Sequence, residues 1–172
     1  MGRLADLAIA GTLGSWALGL ALGLGRAEVG AIPLPARLAM AAIHATSAWL
    51  FATRDPAIAR GEARALVSAV PSLVLSGLAF RVGATSLSGV GLGVFVLGAV
   101  GTCASLLALG RSFAIFAARR QLVSRGPYRF VRHPAYACEL VVVAAAAGAG
   151  ASRAGCLASA VIVAATVASV VW

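Results

Sequence analysis

The charged residues of this chain lie almost entirely between long apolar runs, and that segregation restricts what it can fold into. Six runs stand out: Ala5–Leu24, Ala36–Ala52, Ala65–Phe80, Leu87–Leu109, Ala135–Ala151 and Gly155–Trp172. Only 11% of the 172 residues are charged and 61% are hydrophobic, whereas a soluble domain is about one-quarter charged. A membrane span needs about 20 apolar residues, with about 17 as the lower limit. The first and fourth runs meet that requirement. The second and third are short, and Pro71 is placed to kink the third. The fifth and sixth are separated by Ser152-Arg153-Ala154 alone, which reads as a tight helical hairpin. The expected fold is all-α: a polytopic transmembrane helix bundle of about six spans, the last two a tight helical hairpin. The N-terminal run has no clear small-x-small cleavage site and is read as a first span rather than a signal peptide.

The net charge is +9, and all fourteen basic residues are arginine. These arginines flank apolar segments, so anionic headgroups account for them better than nucleic acid does. In the six-span topology one side carries Arg3, Arg54, Arg60, Arg64, Arg111, Arg119, Arg120, Arg125, Arg129 and Arg132. The other carries Arg26, Arg37, Arg81 and Arg153. That asymmetry places both termini and the 110–134 loop in the cytoplasm. Cys103, Cys138 and Cys156 are isolated, with neither metal-ligand spacing nor a disulfide framework, and read as small buried hydrophobes. No metal site is expected.

The glycines of the fourth run, Gly89, Gly91, Gly93, Gly98 and Gly101, invite comparison with a nucleotide-binding loop. Such a loop needs a preceding strand and a soluble helix after it. Close packing between membrane helices fits better, and Gly11, Gly19 and Gly23 read the same way. His44, alone in the second run beside Thr46 and Ser47, is expected to make an interhelical hydrogen bond.

Chemistry concentrates in residues 124–139, Ser-Arg-Gly-Pro-Tyr-Arg-Phe-Val-Arg-His-Pro-Ala-Tyr-Ala-Cys-Glu. Gly126-Pro127 marks a turn. His133-Pro134 marks a helix start, because proline lacks an N–H that would be unsatisfied there anyway. The free N–H groups of that helix point back at Arg129, Arg132 and His133, which makes an anion site at the membrane surface. Arg119, Arg120 and Arg125 are read as headgroup contacts. Glu139 lies within the fifth run, three residues past Tyr136 and on the same helix face. A carboxyl group at membrane depth is costly, so it pairs with an Arg or His or faces a cation, Arg132 and Arg111 being the candidates for a structural ion pair.

Gly126-Pro127-Tyr128-Arg129-Phe130-Val131-Arg132-His133-Pro134-Ala135-Tyr136 resembles the shared signature of the isoprenylcysteine carboxyl methyltransferase family and its phospholipid methyltransferase relatives. Leu109-Gly110-Arg111-Ser112-Phe113, Leu122-Val123-Ser124 and Glu139 are similar to bacterial members as well. The resemblance is specific over residues 109–140 and looser over the second half of the chain. It implies N-terminal spans without diagnostic motif at 1–86 and a methyltransferase-like membrane core at 87–172. It implies S-adenosylmethionine as cofactor, contacted by Tyr128, Arg129, His133, Pro134 and Tyr136. Arg132 and Glu139 are then the candidate catalytic residues. The expected partners are membrane lipids and a lipophilic small-molecule acceptor with a carboxylate or amine; nucleic acid is not expected. The expected location is the bacterial inner membrane, with the motif loop cytoplasmic.

Members of that family carry a cytoplasmic tail after the hairpin, with adjacent glutamates and later Tyr and Pro residues. The sequence given stops at Trp172, so an activity impaired by the missing tail, or a non-catalytic membrane protein derived from the family, is a second expectation. Sterol reductases, which use NADPH, share an Arg-His-Pro-x-Tyr element and form the third. The Gly-Pro-Tyr-Arg lead-in fits methyltransferases better.

Overall fold

A computed structural model describes residues 3–24, 29, 31–55, 59–60, 87–113, 118–119 and 123–149. Four long α-helices account for most of them: α1 (Arg3–Leu22), α2 (Leu34–Thr53), α3 (Gly89–Leu109) and α4 (Pro134–Ala149). They coincide with the first, second, fourth and fifth apolar runs. Short 3₁₀ turns lie at Gly110–Ser112 and Gly126–Arg129. The fold among the described residues is all-α apart from one two-residue antiparallel pairing, in which Ala59 lies opposite Arg119 and Arg60 opposite Ala118.

Local sequence sets the helix ends. Pro35 occupies the first turn of α2, where a missing N–H is harmless. Arg54 ends that helix in extended conformation at φ −64° and ψ 148°. It is followed by Asp55-Pro56, and a residue before proline is driven out of the α region. Ser88 precedes α3 in extended conformation, and Gly110 ends it at φ +52°. At about 1.5 Å per residue, the 20 residues of α1 and of α2 each cover the thickness of a bilayer core.

Among the described residues, two helical stretches are long and apolar enough to cross a membrane, Arg3–Leu22 and Gly89–Ser112. Only 11% of the first and 33% of the second is buried, whereas the core helix of a soluble protein would be mostly buried. Leu7, Trp16, Leu18 and Leu22 on α1 and Leu97 and Val100 on α3 face outward, as a lipid environment allows. The α2 helix has the length of a span but carries Arg37, His44, Thr46 and Ser47. With 16 residues, α4 is shorter. The third run (65–80), the sixth run (155–172) and the hairpin turn at 152–154 lie outside the described residues.

Packing fixes the helix directions. The first core cluster joins Ala36 and Met40 of α2 to Phe95 and Ala99 of α3 and to Val142 and Ala146 of α4. The second joins Leu50 and Phe51, late in α2, to Leu106, late in α3, and to Phe113. Early residues meet early residues and late meet late, so α2 and α3 run parallel. Gly101 faces Cys138 and Gly98 faces Val142, so α3 and α4 run antiparallel. The close packing expected of the glycines is therefore real at Gly98 and Gly101. A Cβ at Gly98 would stand 2.9 Å from Val142 Cγ2, and one at Gly101 2.6 Å from Cys138 Sγ. Gly11, Gly89, Gly91 and Gly93 instead meet no atom of the described residues within 4 Å.

Candidate active site

One end of the bundle collects the C-termini of α2 and α3 and the N-termini of α1 and α4. The motif segment lies across this end. Gly126 opens the 3₁₀ turn at φ +58°, a conformation that a side chain would oppose. Its Cα side rests on α3, with Ala108 Cβ 3.4 Å from the position a Cβ would take. Arg125 holds the same contact by donating its Nε–H to the Ala108 carbonyl at 3.3 Å. The turn is closed by Phe130 N–H and Val131 N–H donating to Pro127 O, at 3.1 and 3.2 Å.

The chain then enters α4 at the expected place. Pro134 is buried at the first helical position. Ala137 N–H donates to His133 O at 3.1 Å as the first intrahelical bond. The N–H groups before it have no partner within the helix. His133 and Tyr136 flank this opening with ring centroids 5.9 Å apart and planes inclined by 42°. Tyr128 lies on the same side. Burial pushes its hydroxyl up to about 12, and the nearby Tyr136 and Cys138 add to the effect.

Tyr128, His133, Pro134 and Tyr136 are thus gathered around the start of α4, with half-buried Glu139 one turn beyond Tyr136. Arg129 and Arg132 are exposed. Arg129 lies over the Phe130 ring, 5.7 Å from its centroid. The ion pair expected for Glu139 is not formed with either candidate. Arg111 instead binds Asp55, its Nε donating to Oδ1 at 2.8 Å. Among the described residues Glu139, Arg129 and Arg132 belong to no ion pair. Among the described residues, cations without counterions therefore precede the N-terminus of α4, and a carboxyl group without an ion pair lies on the same helix. That donor set can hold a ligand that is anionic at one end and cationic at the other.

Sequence reasoning passed over a second cluster at the same end. Asp6 and Arg54 form a buried ion pair. The Arg54 guanidinium stacks on Phe51, 4.3 Å from the ring centroid. Phe51 in turn meets Phe113 edge to face at 5.3 Å. Asp55 N–H donates to Arg111 O at 3.1 Å, so Asp55 and Arg111 are joined by backbone as well as side chain. The discoverable signal was an acid inside an apolar run, level with an arginine at the end of the next.

His44 also departs from expectation. Its Nδ1 is 2.9 Å from Met40 O in the same helix. The interhelical contact is with the ring of Trp16 on α1, 6.0 Å between centroids. A position four residues back supplies a carbonyl within the helix itself, so the ring needs no neighbour to be satisfied.

A family model described as phospholipid methyltransferase matches residues 87–172, half of the chain. The match starts just before α3 and includes the whole motif segment. Neither the curated proteins nor the solved structures contain a match.

Proposed function

This chain belongs to the phospholipid methyltransferase family, and we infer that it is an integral membrane methyltransferase that uses S-adenosylmethionine. The acceptor we assign is a small lipophilic molecule offering a carboxylate or an amine. The supporting observation is that opposite charges with no ion-pair partner among the described residues flank the start of α4: Arg132, beside His133 and the free N–H groups, and Glu139 on the helix itself. When bound, the cofactor supplies an activated methyl group. Arg132, His133 and the helix N-terminus would hold its carboxylate, and Glu139 its cationic portion. Tyr128, Pro134 and Tyr136 would wall the site against water. In this reading Arg132 and Glu139 are the catalytic residues, because they touch the charged ends of the reacting molecule. Methyl transfer depends on in-line positioning. A water-poor site favours meeting of an anionic acceptor with a cationic donor, since little solvation is lost.

The same reading divides the chain into N-terminal spans at 1–86 and a catalytic membrane core at 87–172. It orients the 110–134 loop toward the cytoplasm of a bacterial inner membrane, on the arginine asymmetry. Membrane lipids are its solvent and the source of its acceptor. The test is transfer of a labelled methyl group from S-adenosylmethionine into a lipid extract by the reconstituted chain. Label in a lipid fraction, absent with Glu139→Gln, supports the assignment. Equal label with and without protein contradicts it.

A further inference from the structure

The motif segment carries an apolar pair that the site does not use. Phe130 is 83% exposed and Val131 51%, midway between exposed Arg129 and Arg132. The Arg129 guanidinium lies over the Phe130 ring, 5.7 Å from its centroid. Outward apolar residues on α1 and α3 are what a membrane helix presents to acyl chains, but these two stand on a turn beyond a helix end. Their height is fixed by α3: Arg125 and Gly126 rest on Ala108, one residue from the end of that helix. The pair therefore stands where hydrocarbon gives way to headgroups. The backbone holds it there through the two bonds to Pro127 O. Exposed Arg129 and Arg132 flank it in sequence, and exposed Arg125 lies at the start of the same turn. An exposed apolar pair on a turn that also carries exposed arginines matches an anionic lipid surface in both polarity and charge.

We propose that Phe130 and Val131 form a wedge that seats in the headgroup layer of the adjoining leaflet, with Arg125 and Arg129 on lipid phosphates. Seating orders the 123–133 turn, and with it the approach of Arg132 and His133 to the start of α4. This rests on the membrane reading of the chain. It makes the order of the candidate site depend on the charge of the surrounding lipid. Each basic residue near an anionic surface is worth about five-fold in such an equilibrium, so two give about 25-fold.

Hydrogen exchange tests it, with the full chain in nanodiscs of phosphatidylcholine alone or with phosphatidylglycerol added. Amides of residues 128–132 are expected to exchange more than ten-fold more slowly in the anionic discs. That protection should fall as salt is raised, because surface attraction is screened within about 10 Å at 0.1 M. Phe130→Ser and Arg125→Gln should each weaken it, while α3 amides stay protected throughout. Equal exchange in both lipids with α3 protected would overturn the wedge alone. Protection retained in Phe130→Ser at every salt concentration would also overturn it, assigning the cover to protein. Fast exchange along α3 in every disc would remove the membrane reading and this proposal together.

Discussion

Asp6 and Arg54, 48 positions apart, meet as a buried two-point ion pair, with Arg54 Nε donating to Asp6 Oδ2 at 3.1 Å and Nη2 to Oδ1. The pair ties the start of α1 to the end of α2, and through Phe51 and Phe113 it reaches the turn after α3. Asp6→Ala strands the guanidinium. Removing one member of a buried pair costs about 3–5 kcal/mol. A fall in Tm of the detergent-solubilised chain is expected, and Arg54→Gln should give a similar fall. An unchanged Tm for both would show that the pair does not hold the helices.

The neighbouring pair should behave differently. Asp55 and Arg111 are joined at 2.8 Å, but their side chains are 53% and 71% exposed. Solvent screening limits such a pair to about 1 kcal/mol or less. Asp55→Asn should therefore lower Tm much less than Asp6→Ala, with a difference from the parent chain that shrinks in high salt. A loss as large as that of Asp6→Ala would show that the backbone contact at Asp55 depends on the charge.

The glycines of α3 separate into two classes. Gly101→Val drives a side chain into Cys138, and Gly98→Leu into Val142. Each should destabilise by about 1–3 kcal/mol through overpacking of the α3–α4 contact. At Gly91 no atom of the described residues lies within 4 Å, and Ala there should stabilise the helix by about 0.5–1 kcal/mol. Thermal unfolding of the three variants checks the ordering. Equal effects at Gly91 and Gly101 would contradict the packing described.

Burial of Tyr128 sets a pH window. The hydroxyl titrates near 10.0 when solvated and at about 12 in the folded chain. Because the folded value is raised, its contribution to stability is fully present below pH 10 and is lost between pH 10 and about 12. Tyrosinate absorbance should show a component titrating near 12 that is lost in Tyr128→Phe. Titration of that group near 10 in the folded chain would mean that Tyr128 is solvated.

Much of this architecture was legible because it rests on local rules. Apolar length marked four helices, Gly126-Pro127 the turn, and Pro134 the start of α4. Contacts between distant positions were not legible. No periodicity indicates that Asp6 reaches Arg54, or that Arg111 takes Asp55 rather than Glu139. Glycine spacing alone could not separate Gly98 and Gly101, which meet α4, from Gly91 and Gly93, which meet no described neighbour. Which face a glycine occupies is set by the neighbouring helix. His44 was misread because a polar residue among apolar ones suggests an outside partner, although its own helix provides one at Met40.

The central claim is that the start of α4 holds S-adenosylmethionine. Calorimetric titration of the purified chain in detergent, with NADPH in parallel, tests it most directly. Saturable binding of S-adenosylmethionine is predicted, lost in His133→Ala and in Tyr136→Ala while helicity is unchanged, with no heat from NADPH. Binding of NADPH alone, or S-adenosylmethionine affinity unaltered in both variants, would contradict the account.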